Sequence, residues 1–189
     1  MVTEKRLPAM TTRSDNPGVW FPPPLWYAQA VLNGALLNSG PATISMSADP
    51  AREFVDANIL VYAFDASARK KKAVAEQLLA RCWDSGVGCL SVQVLQEFFV
   101  TVTKKVAHPL SVDEAADRIR EFATWTVFAP TANDVLGAIA LQKQSQLNFR
   151  DAMVLQASAE SGCDVLWTED LNDGQVIRGV RIRDPFAAG

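Results

Sequence analysis

Two rhythms of apolar residues run through residues 52–186. Short runs at Glu53–Asp56, Val87–Leu90, Trp125–Phe128 and Val165–Thr168 are bounded by chain breakers and read as strands. Between them lie longer stretches with helical spacing. In the clearest one, Leu95, Phe98, Phe99, Val102 and Val106 make a single apolar stripe behind Ser91, a natural N-cap. Pro109 ends that helix, and Ser111 with Glu114 forms a capping box for the next. A helical turn is predicted at Asn58–Phe64, and Ser67 is read as the N-cap of a helix running to about Trp83. Further helices are predicted over 131–146 and from Asn148 through Glu160, where Gly162 stops the chain. Val180–Ile182 is predicted as a fifth strand, at a sheet edge.

Short apolar strands alternating with helices imply a parallel sheet covered on both faces. The expected architecture is a three-layer α/β/α fold with a central parallel sheet of four to five strands. In such sheets a ligand site lies beyond the carboxyl ends of the strands.

Residues 1–50 break the pattern. They hold seven of the ten prolines, three of them in the stretch Phe21-Pro-Pro-Pro-Leu-Trp-Tyr27. The apolar piece Tyr27–Leu37 is too short and isolated to build a core. The segment is expected to be a mostly disordered extension, with residues 51–189 as the folded domain. A sharper expectation is that translation begins at Met46, a few residues before the first strand.

Composition narrows the chemistry. The net charge is −3, without the strongly basic footprint of passive nucleic-acid binding. Carboxylates gathered in one pocket and neutralised by a cation would still leave room for a nucleic-acid substrate. A Cys/His zinc site is hard to assemble from one histidine, His108, and the cysteines Cys82, Cys89 and Cys163, no two of them spaced as a CxxC pair. Reduced, buried thiols in a cytoplasmic protein are expected. No apolar run is long enough to span a bilayer, so no membrane association is expected.

Four acids occupy telling places. Asp56 ends the first strand, and Asp170 follows the fourth. Asp151 stands in the first turn of a helix, and Glu97 lies two turns into the helix after the second strand. All four positions fall at one edge of a parallel sheet. Taken singly, each acid has an ordinary explanation: a strand end, a helix-dipole carboxylate, a solvated helix position, an acidic turn. Together they are harder to dismiss. Carboxylates about 4 Å apart repel by roughly 1 kcal/mol in water and about 4 kcal/mol at intermediate dielectric. A cluster of four calls for a cation, and oxygen ligands alone select Mg²⁺ or Mn²⁺. Such a site suits phosphodiester hydrolysis. Arg150 stands beside Asp151, to contact a phosphate or pair with an acid. Arg69–Lys72 is the one dense cationic run and a candidate guide for RNA, although a solvated helix face is its more ordinary explanation.

These stretches resemble the PIN-domain ribonucleases, particularly the VapC-like toxins of prokaryotic toxin–antitoxin pairs. The matching segments are Phe54-Val-Asp56-Ala-Asn58-Ile-Leu60, Ser91–Phe98, Phe149-Arg-Asp151-Ala152 and Leu166–Gly174, within residues 53–186. The resemblance implies a PIN-like α/β fold and a metal-dependent endoribonuclease. It places Asp56, Glu97, Asp151 and Asp170 at the acidic positions, with Asp173 in support and Asn58 and Thr168 at its border. It also implies a cognate antitoxin as protein partner and a homodimer. Residues 1–50 have no counterpart in the family.

Other readings fit less well. A catalytically silent PIN-like module that binds RNA or protein would be expected to have lost some of the acids. A dehalogenase-like phosphotransferase needs a second aspartate where Asn58 stands. A receiver domain needs a late lysine, and none follows Lys143. His108, next to Pro109, lies near no serine elbow of a hydrolase.

Overall fold

The computed structural model describes Pro24, Trp26–Ala28 and residues 51–187. Strands β1 (Arg52–Val55), β2 (Gly88–Ser91), β3 (Thr126–Phe128), β4 (Cys163–Trp167), β5 (Val176–Ile177) and β6 (Val180–Arg183) form one sheet in the order β3-β2-β1-β4-β6-β5. The first five in that order run parallel, and β5 pairs antiparallel to β6. Helices α1 (Ala57–Phe64), α2 (Lys70–Ser85), α3 (Val92–Lys104), α4 (Val112–Phe122), α5 (Ala132–Ser145) and α6 (Phe149–Glu160) link them. This is the expected α/β fold, and the strand expected at Val180–Ile182 is β6. It is not at the edge, because the short β5 takes that place.

The strands form where β-branched and aromatic side chains meet the helices. Phe54, Val55, Leu90, Leu166 and Ile182 are fully buried, as are Leu79, Phe98, Phe122 and Leu155 from the helices. Caps set the helix starts as their residues predict. Ser91 accepts from the Val94 amide at 3.2 Å, Asn148 accepts from the Asp151 amide at 2.9 Å, and Ser111 with Glu114 closes a capping box.

Ser67 is not the N-cap of the second long helix. Asp65 takes its backbone and side-chain donors, at 2.8 and 2.7 Å, and closes a 3-10 turn at Ala66–Ala68. Arg69 then adopts a left-handed φ of 46° before α2 begins. An aspartate two residues upstream offers a tighter local bond than a new helix can.

A second difference lies near the N-terminus. Trp26–Ala28 make a helical turn whose amides return to the Pro24 carbonyl, at 3.0 Å from Tyr27 and 3.3 Å from Ala28. Trp26 packs against Phe64, Trp83 and Phe122, with ring centroids 6.2, 5.8 and 6.1 Å away. Tyr27 is 3% exposed and donates its hydroxyl to Asp84. The expectation of disorder does not apply to these residues, because their rings fill a gap beside α1, α2 and α4. The rest of the proposed extension, and Met46, lie outside the described residues.

Candidate active site

Strand register brings the site together. Val55 pairs with Trp167, and Trp167 with Arg183, so these three parallel strands end level. The next residues are Asp56 and Thr168. The Asp56 amide donates to the Trp167 carbonyl and the Thr168 amide to the Arg183 carbonyl, each at 3.0 Å. Asp56 is also the N-cap of α1, its Oδ1 accepting from the Ala57 amide at 2.6 Å. One residue thus ends a strand, starts a helix and turns its carboxylate to the sheet edge.

Thr168 is the hub. Only 1% exposed, it donates its hydroxyl to Asp56 Oδ2 at 2.8 Å and accepts from the Asp170 amide at 3.2 Å. The Asn58 amide group reaches Thr168 Oγ1 at 3.4 Å and Asp170 Oδ2 at 3.1 Å. The Asn148 amide group donates to Asp151 Oδ2 at 2.5 Å. Arg150, next to Asp151, pairs with Glu97 across from α3, its Nε 2.7 Å from Oε2.

Electrostatics tie the acids to one another. Asp56 is 7% exposed, and burial pushes its carboxyl up to about 6 against the pull of the Thr168 hydroxyl and the Ala57 amide; the Asp170 charge adds to the rise. Asp151 is raised by burial first and then by Asp170. Asp170 therefore acts on both, while Glu97 is balanced by Arg150.

A raised carboxyl has a defined effect on stability. The folded protein holds the Asp56 proton more tightly than the unfolded chain does. The contribution of this group to stability is therefore greatest below about pH 4, falls as pH rises toward 6 and then levels. A carboxyl raised to about 6 corresponds to roughly 3 kcal/mol. The unfolding midpoint of the wild type is expected to decline over that window, and that of Asp56→Asn to decline less. Parallel curves for the two proteins would show that Asp56 is not the titrating group.

Among the described residues, no three His, Cys, Asp or Glu side chains stand close enough to hold a metal ion as arranged here. In kind, the donors fit a hard divalent cation: carboxylate and amide oxygens, without imidazole or thiolate. Asn58 Oδ1 is buried without a hydrogen-bond partner, an orphaned acceptor in the midst of these acids. Glu97 is paired instead with Arg150 through Oε2.

Of the residues picked out in sequence, Asp56, Asn58, Thr168 and Asp170 form one bonded group, with Asp151 coupled through charge. Asp173 stands apart: it accepts from the Asp184 amide at 3.0 Å and lies near Arg183, fastening the turn behind β6. Sequence reading missed a neighbouring cluster. Glu169 accepts from both Tyr62 and Lys71, and the Lys71 ammonium lies 4.5 Å from the centroid of the Tyr62 ring. The available signal was helical spacing, since Asn58 and Tyr62 are four apart on α1 and share a face. Within the basic run, Lys71 reaches this wall, while Lys72 turns back to Glu76 at 2.7 Å.

The sequence profile of the PIN-domain family matches residues 54–174. Among solved structures, the chain is similar to one in a toxin–antitoxin complex from Klebsiella pneumoniae, with 23% identity, a TM-score of 0.52 and coverage of 71% of this chain and 98% of that one. It is also similar to VapC20 of Mycobacterium tuberculosis, described as a sarcin-ricin loop cleaving toxin, with 20% identity, a TM-score of 0.48 and coverage of 60% and 86%. None of the curated proteins compared with the chain matches it.

Proposed function

Since the chain belongs to the PIN-domain family, we propose that it is a metal-dependent endoribonuclease, the toxin of a toxin–antitoxin pair. One observation carries this reading: the buried Asp56 carboxylate at the level strand ends, joined through Thr168 to Asn58 and Asp170, with Asp170 acting on Asp151 as well. Carboxylates do not gather at a half-buried edge without cost unless a cation joins them.

Asp56, Asp151 and Asp170 would hold Mg²⁺ or Mn²⁺, with Glu97 as a fourth ligand. Once bound, the cation would polarise a phosphoryl oxygen and acidify a water. The chain's own residues do the rest. Thr168 fixes the Asp56 carboxylate by donating to Oδ2, and Asn58 fixes Asp170 by donating to its Oδ2. Asp170 is exposed and so open to a substrate. Arg150 supplies a guanidinium suited to an RNA phosphate.

The proposed partners are an RNA substrate, a cognate antitoxin that blocks the toxin, and a second copy in a homodimer. The proposed setting is the cytoplasm. No helix among the described residues is long and apolar enough to cross a membrane.

One observation favours a second reading, a catalytically silent RNA- or protein-binding module. Glu97 is tied to Arg150, and no three acids converge among the described residues. Cleavage of a pool of structured RNAs separates the two. The wild type, freed of any co-purified partner, is expected to cut with Mg²⁺ or Mn²⁺ and to stop when EDTA is added. No cutting across a broad pool would favour the silent module, and cutting that survives EDTA would remove the metal from the scheme.

A further inference from the structure

Arg150 is an odd resident of its position. It lies in the first turn of α6, where the helix dipole disfavours a cation and favours an acid such as Asp151. Its side chain is 61% exposed, while that of its partner Glu97 is 14% exposed. Nε donates to Glu97 Oε2 at 2.7 Å. This charge-assisted bond engages the carboxylate directly. The same positive charge also reaches Asp56 and Asp151. Arg150 therefore stands as a built-in counter-ion to the acids, attached through Glu97 and resting on no buried packing of its own.

We propose that Arg150 is a gate on Glu97: its guanidinium and a divalent cation compete for that carboxylate, and cation binding releases Arg150 to a phosphate of the RNA. This rests on the reading of the acids as a metal site. The competition follows from geometry and charge. A carboxylate already bonded to a guanidinium offers less to a metal, and the adjacent positive charge repels one. The release follows from exposure. The freed side chain rotates into solvent at the edge where Asp170 is open, and a planar guanidinium is the group best shaped to take a phosphate. Cation and RNA would then bind cooperatively, because each favours the open position of the same side chain.

The test uses the full-length protein and Mg²⁺ alone before any RNA. The ¹⁵N-labelled Arg150 Nε–H resonance is expected to be protected from solvent exchange without Mg²⁺ and to lose that protection when Mg²⁺ saturates. Glu97→Gln should remove the protection without any Mg²⁺. By calorimetry, Arg150→Gln is expected to bind Mg²⁺ about tenfold more tightly than the wild type, one decade for about 1.4 kcal/mol. In cleavage assays the same variant should show a KM for RNA raised about tenfold with a smaller change in kcat. Mg²⁺ binding to the wild type with the Nε–H still protected would overturn the gate and leave the metal site standing. Mg²⁺ binding to neither wild type nor Arg150→Gln would overturn the metal site and the gate together. Tighter Mg²⁺ binding by Arg150→Gln with an unchanged KM would overturn the hand-over to phosphate.

Discussion

Replacing Asp56 with asparagine is expected to lower RNA cleavage by at least about a thousandfold, roughly 4 kcal/mol of barrier, while making the protein more stable near neutral pH. The two effects have one cause. Asparagine keeps the size of the side chain and its Oδ1 acceptor for the Ala57 amide. The Thr168 hydroxyl, which donates to Oδ2 in the wild type, can accept from the new amide in exchange for its long 3.4 Å bond from Asn58. What disappears is the negative charge, which a 7% exposed site holds only against desolvation. The same charge is what a cation would need. Cleavage kinetics and thermal unfolding on one preparation check this. Lost activity with a raised unfolding midpoint supports a functional carboxylate kept at the expense of stability. Lost activity with a lowered midpoint would mean that the fold was damaged, and retained activity would remove Asp56 from the site.

The second large effect is expected far from the acids. Trp26→Ala should cost about 2–4 kcal/mol, somewhat less than a fully buried aromatic because Trp26 is only partly buried. For a chain of this size that is a fall in unfolding midpoint of roughly 5–15 °C. Trp26 meets Phe64, Phe122 and Trp83 edge-on or tilted, and Phe122 is itself fully buried against Phe98 and Trp125. Deleting the indole leaves a cavity lined by rings that the rest of the core cannot fill. Phe64 lies at the far end of α1 from Asn58, so Mg²⁺ affinity is expected to stay unchanged. An unaltered midpoint would mean that Trp26 does not dock in solution. The result also bears on the proposed start at Met46. A chain beginning there lacks both Trp26 and Tyr27 and should show the same loss, and the intact mass of the native protein decides which form is present.

Much of this molecule was legible from residue order. Strand–helix alternation follows from side-chain period, a local property, and it yielded the parallel sheet. Ser91, Ser111 with Glu114, and Asn148 announced helix starts because capping bonds span only two or three residues. The acids could be assigned to one sheet edge by the topology of parallel strands alone, and their oxygen chemistry pointed to a hard cation. Other features depend on partners distant in sequence. The capture of Ser67 by Asp65 is the exception, a local bond across two residues that the sequence reading missed. Whether Trp26 and Tyr27 dock depends on a gap among Phe64, Trp83 and Phe122, which exists only once α1, α2 and α4 have packed. The register of β1 against β4 makes Thr168 the link between Asp56 and Asp170, and a slip of one residue would turn these side chains to opposite faces. Arg150 had two possible partners in sequence, a phosphate or an acid. The tertiary structure decided for Glu97, because it set a carboxylate within 2.7 Å of a guanidinium that its own helix does not favour.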